Sequence, residues 1–188
     1  MVQIEGSVYF LTALLLLTLP MKWVFSAVLA ATLHELCHLI VLFLCGGKIH
    51  GICIGIRGCE ITADTMDQWG QFLSILAGPA GSLSLLLFSS IFPRLAVCGL
   101  FHGLYNLIPV LPLDGGRILQ WILFWFCPER ADWILSQVRN LVCIAFLLLS
   151  VWMTASGGGW LQLYLSVLWI IRMQRRKIPC KPSQIGVQ

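Results

Sequence analysis

Residues 23–45 read WVFSAVLAATLHELCHLIVLFLC. Apart from Ser26, Thr32, His34, Glu35 and His38 the run is apolar. At ~1.5 Å per residue a helix of this length covers the ~30 Å hydrocarbon core of a bilayer. Its polar core is His34-Glu35-Leu36-Cys37-His38, an H-E-x-x-H pattern. The i,i+4 spacing stacks both imidazoles on one helix face, where they can bind one zinc ion. Glu35 sits one position round from His34 and can act as general base toward a water at the metal. The same pentapeptide can arise by chance on an exposed helix. Here it would put ionisable side chains at membrane depth, which costs ~2.5–3.5 kcal/mol each on insertion scales and marks a functional site by default.

The rest of the chain agrees with a membrane setting. Of 188 residues, 59% are hydrophobic and 11% charged, against ~25% charged in a soluble domain. Disorder, a collagen repeat and a secreted disulfide scaffold are excluded for the whole chain. Eight cysteines fall mostly in apolar runs with no C-x-x-C pair, so they read as small buried hydrophobes. The net charge of +4 is not massed on a polar domain, so no nucleic-acid partner is expected. The N-terminus lacks the basic start and cleavage site of a signal peptide.

Six apolar stretches read as spans: Ser7–Leu19, Trp23–Cys45, Gln71–Phe92, Leu95–Leu111, Gln137–Thr154 and Trp160–Arg172. Ile118–Phe126 is too short to cross and is expected to lie at the interface or to pack as a short helix. Glycine-rich Lys48–Ile61 carries Ile52, Ile54 and Ile56 at period two, which predicts a short β-hairpin between spans two and three. The expected fold is therefore an all-α polytopic membrane protein with about six transmembrane helices and that hairpin. Residues 1–188 form one domain, with 174–188 a polar tail. With both termini cytoplasmic, the inner segments hold Lys48, Arg57, Arg117, Arg130, Arg139, Arg172, Arg175, Arg176, Lys177 and Lys181. The outer segments hold only Lys22 and Arg94. That asymmetry follows the positive-inside rule of a multi-pass cell-membrane protein.

A catalytic zinc site takes three protein ligands and keeps one position open. Among the eight acidic residues, Glu5, Glu129 and Asp132 lie in polar flanks. Glu60, Asp64 and Asp67 read as a solvated loop face. Asp114 remains, in Asn106-Leu107-Ile108-Pro109-Val110-Leu111-Pro112-Leu113-Asp114-Gly115-Gly116-Arg117, which reads as the inner end of the fourth span. Two prolines break the helix there and two glycines free the backbone. Broken backbone at membrane depth is tolerated only beside protein or a wet cavity. Spans two and four run the same way, so His38 and Asp114 are expected to meet in the cytoplasmic half of the bilayer.

HELCH in one span and N-x-x-P-x-x-x-L-D-G in a later one resemble the site-2 protease family of intramembrane zinc metallopeptidases. Gly78-Pro79-Ala80-Gly81 resembles the family's Gly-Pro element between them. The compact layout without an inserted PDZ domain is similar to the stage IV sporulation FB group. That group often carries a CBS domain, for which no residues remain here, and the family often has Asn where this chain has Ser82. The resemblance implies zinc held by His34, His38 and Asp114, with Glu35 activating water. It also implies that Asn106 lies at the site and hydrogen-bonds substrate or the developing oxyanion. His102, one turn earlier, reads as a packing residue, with a role beside the ligands or toward substrate as the lesser alternative. Trp23, Trp69, Trp121, Trp125 and Trp160 fit interface belts.

The expected activity is zinc-dependent endopeptidase cleavage in or near a transmembrane segment of a membrane-tethered protein. Family analogy adds an inhibitory membrane partner; nothing in the residues sets an oligomeric state. Three other readings stay open. A zinc-binding scaffold without turnover would not need Glu35. A metal transporter should carry a chain of ligands or two related halves, and neither is present. A prenyl-protein type peptidase normally takes a later Glu as third ligand, and here only Glu129 follows Glu60.

Overall fold

Proline and glycine set most of the element boundaries. The computed structural model describes residues 20–47, 67–157, 166–167 and 170–171, and by backbone alone residues 2–4, 49–55 and 58–63. The expected spans Ser7–Leu19 and Trp160–Arg172 and the tail 174–188 lie outside the described residues, the few at 166–167 and 170–171 excepted. The backbone groups into two compact units, Met1–Arg139 and Asn140–Gln188.

In the first unit, Pro20 precedes helix α1, Met21–Leu44. The helix ends at Leu44, and just beyond it Gly46 takes a φ of 78°, which suits a residue without a side chain. The Gly46 and Gly47 amides donate back to the carbonyls of Phe43 and Leu42, both at 3.0 Å, which closes the last turn as a Schellman motif. Strands β1 (Val2–Ile4), β2 (Ile49–Gly55) and β3 (Gly58–Ala63) form a sheet in that order. β2 and β3 are antiparallel, with Ile52 opposite Ile61. β1 lies parallel to β2, with Val2 opposite Ile52, a strand the sequence pattern does not announce.

Helix α2, Gln68–Ser84, continues as a 3-10 turn over Leu85–Phe88. Asp67, read above as part of a solvated loop, is its N-cap: Oδ1 accepts from the Gly70 amide at 3.1 Å. Helix α3 covers Pro93–Asn106 and helix α4 covers Asp114–Phe126. The fourth apolar stretch, Leu95–Leu111, is therefore helical only as far as Asn106. Pro109 and Pro112 lack amide donors, and each disfavours helical geometry in the residue before it. Asp114 accordingly opens a new helix rather than closing a span. Ile118–Phe126, read as a short helix, is the body of α4.

α1 packs against α2 and α3, and α2 packs against α3 and α4. The α1 contact stripe is Ala30, His34, His38 and Leu42, all buried and four residues apart. α2 answers with Gly70, Ser74, Gly78 and Ser82, also buried and four apart. Small residues at every fourth position let two helices approach closely. The other faces of α1 carry exposed apolar side chains, such as Phe25 and Phe43 at 70% and 74% exposure. A helix that is apolar all round fits a lipid environment.

Helix α5, Ala131–Ala155, enters the second unit at Asn140. There the buried Ser150 hydroxyl is hydrogen-bonded to the Phe146 carbonyl at 2.8 Å and to the Ser166 hydroxyl. Among the described residues, three helical segments are long and apolar enough to cross a membrane: Met21–Leu44, Gln68–Phe88 and Pro128–Ala155. The chain is accordingly a membrane protein.

Candidate metal centre

His34 and His38 project from one face of α1, with ring centroids 4.8 Å apart and planes at 84°. Asp114 reaches the same point from the first turn of α4. Its Oδ2 lies 3.0 Å from His34 Nε2 and 3.1 Å from His38 Nε2, and the two Nε2 atoms are 3.1 Å apart. All three residues are buried, His34 almost completely at 1% exposure.

α2 fixes the far sides of both rings. His38 Nδ1 donates to the Ser74 carbonyl at 2.7 Å. A carbonyl can only accept, so Nδ1 carries the hydrogen and Nε2 of the neutral ring is a bare lone pair. His34 Nδ1 lies 2.9 Å from the fully buried Ser82 hydroxyl, which can accept from it in the same sense. Two bare nitrogens and a carboxylate oxygen then face one another in a closed, buried triangle. Acceptors repel each other unless a cation lies among them. Three ligands of a tetrahedral zinc at ~2.0 Å would be spaced by ~3.3 Å, close to the sides of this triangle. Two imidazoles and one carboxylate are also a donor set that suits zinc. The residues present therefore fit the metal, and His34, His38 and Asp114 are the group among the described residues that can hold it.

Gly78 makes the approach of α2 possible. A Cβ there would overlap His38 Nε2 and come within 2.8 Å of His34 Nε2. A Cβ on Gly81 would overlap the Cys37 sulfur. Pro79, inside the helix, removes the amide that would otherwise bond the Ile75 carbonyl. On the other side, a Cβ on Gly115 would strike the Leu107 carbonyl, and one on Gly116 would strike the Val110–Leu111 peptide. Those two glycines let residues 107–113 fold back against the start of α4. That fold brings the Asp114 carboxylate to the histidines.

Glu35 is half-buried, and His38, His34, Asp114 and Arg117 are the charged or chargeable groups that act on it. Asn106 turns to its own helix, donating from Nδ2 to the His102 carbonyl at 3.1 Å. His102 packs edge-on against His34 with centroids 4.7 Å apart, and its buried Nε2 has no hydrogen-bond partner among the described residues. Ser74 and Ser82 were not singled out as supports of the ligands from sequence. Their spacing of four from Gly78 on each side was the available signal. Trp69, Trp121 and Trp125 gather with Phe72 where α2 begins, and Trp121 Nε1 donates to the Gln68 carbonyl at 3.0 Å.

The fold is similar to that of the site-2 protease from Methanocaldococcus jannaschii, with a TM-score of 0.66 and 22% identity, over 94% of this chain and 91% of that one. A Methanocaldococcus jannaschii protein named as a zinc metalloprotease is 32% identical over 136 residues, 62% of this chain and 40% of its own length. A Synechocystis sp. protein provisionally named as a zinc metalloprotease is 29% identical over 165 residues, 79% of this chain and 39% of its own length. The chain thus spans about two-fifths of those two relatives. The model of peptidase family M50 matches residues 56–150, which takes in Gly78–Gly81 and Asp114 but begins after the histidine helix. With that match covering half of its length, the chain belongs to peptidase family M50.

Proposed function

We propose that the chain is a zinc-dependent intramembrane endopeptidase that cleaves a peptide bond in or near a transmembrane segment of a membrane-tethered protein. The observation that carries this reading is the buried triangle of His34 Nε2, His38 Nε2 and Asp114 Oδ2. Family membership and the names of the two metalloprotease relatives support it. His34, His38 and Asp114 would hold the zinc, which when bound would supply Lewis acidity and lower the pKa of a water toward neutrality.

The chain's own residues do the rest. Ser74 and Ser82 hold the imidazoles in the tautomer that ligates. Glu35, adjacent to His34 on α1, takes the proton from the attacking water and returns it to the leaving amine. Asn106 serves as a hydrogen-bond donor to substrate once its amide leaves the His102 carbonyl. A substrate helix hides its carbonyls in its own hydrogen bonds and must unwind before attack. In the order β1-β2-β3, β3 offers an edge to which the unwound strand can pair. A proline at Ile61 should then lower cleavage while zinc content stays full; unchanged cleavage would remove the sheet from the mechanism.

The same reading has six spans, both termini in the cytoplasm and the site in the cytoplasmic half of the bilayer, following the charge asymmetry. The motif resemblance extends the reading to the stage IV sporulation FB group, and with it to a membrane-tethered precursor as substrate and an inhibitory membrane partner. The experiment that tests the function uses Glu35→Gln with a co-expressed membrane-tethered substrate. The variant should keep its zinc and lose cleavage by about a hundredfold or more, the size of a general-base contribution. Undiminished cleavage would exclude Glu35 as the base.

A further inference from the structure

Away from the metal centre, α1 and α3 begin beside each other at one cavity of about 710 Å³. Its walls are mostly apolar, with Phe25, Leu29, Ile91 and Phe92 among them. Lys22 and Arg94 also line it, and no acidic residue among the described ones does. Each cation is the second residue of its helix. Neither helix has a side-chain cap or an acid in its first turn. The positive ends of two helix dipoles therefore add to the two side-chain charges at the same place.

We infer that this cavity is a binding site for an anionic phospholipid, with the phosphate between Lys22 and Arg94 and an acyl chain along Phe25, Leu29 and Phe92. The charges select an anion over a neutral headgroup. The apolar walls select a lipid over free phosphate, which would gain nothing from phenylalanine and leucine. The location fits as well, because both helices start there and a headgroup lies at the end of a span. Lysine and arginine at span ends also reach toward the interface with no bound partner. Convergence on one apolar cavity distinguishes the two cases, and the test separates them. This inference stands independently of the hydrolytic reading.

The test uses the purified full-length chain in neutral detergent and native mass spectrometry with phosphatidylglycerol or phosphatidylcholine added. Retention of phosphatidylglycerol should exceed that of phosphatidylcholine about tenfold. Lys22→Gln/Arg94→Gln should reduce phosphatidylglycerol retention at least fivefold, and Leu29→Trp, which fills the cavity without changing charge, should do the same. Arg130→Gln, outside the cavity, should retain the lipid as wild type does. Zinc content equal to wild type in each variant shows that the fold has survived. Equal retention of the two lipids, or full retention by the double variant, would overturn the inference. Displacement of the lipid by millimolar inorganic phosphate would overturn it too, in favour of a small-anion site.

Discussion

Ser82 connects two helices through one hydrogen bond. Its hydroxyl sits 2.9 Å from His34 Nδ1 with no solvent exposure. Partners of this kind orient a metal-bound imidazole, and their loss costs ~10–100-fold in metal affinity. Ser82→Ala should lower zinc affinity by about that factor, read by competition with a zinc chelator, while α-helical content stays unchanged. Affinity equal to wild type would mean that His34 needs no support from α2. In the sequence, Ser82 stood out only as a departure from the asparagine of the resembling family. Its partner lies 48 positions away, and spacing along one chain carries no direct signal of that meeting. The neighbouring of His34 and His38 was readable because their relation is local: one helix turn fixes it. Asp114 was readable by elimination, because few carboxylates lie at membrane depth.

At the scale of elements, the least accurate expectation concerned the chain around Asp114. An apolar run does not reveal where a helix stops, and Leu95–Leu111 looked like one crossing. Pro109 and Pro112 stop it early, and Gly115-Gly116 let the backbone return on itself. Both ingredients were visible, but their result is a carboxylate at the start of α4 rather than at the end of α3. Gly115→Ala tests this. Its new Cβ would run into the Leu107 carbonyl, which is backbone and cannot swing aside. The variant should lose several kcal/mol of stability, as strained backbone positions do, seen as a fall in melting temperature in detergent, and should lose zinc with it. A variant with unchanged melting temperature and zinc content would contradict the fold-back. The complementary stripes of α1 and α2 were also hard to foresee. Small residues at every fourth position are common, and only the facing helix gives them meaning.

For the molecule as a whole, composition and charge were enough to indicate a membrane protein, because the lipid imposes one rule on every span. Three described helices meet that rule by length and composition. The sheet formed by β1, β2 and β3 departs from the helical plan. β2 and β3 are antiparallel with Ile52 opposite Ile61, whereas the pairing of Val2–Ile4 with β2 is a long-range event without a local signature. The claim that unites these levels is that a helix from early in the chain and a helix start 80 residues later close on one zinc ion. X-ray absorption at the zinc K-edge of the purified protein tests it most directly. The account predicts one zinc per chain with two imidazole nitrogens and a carboxylate oxygen around it, and loss of that signal in His38→Ala. A sulfur ligand, or an unchanged spectrum in that variant, would contradict it.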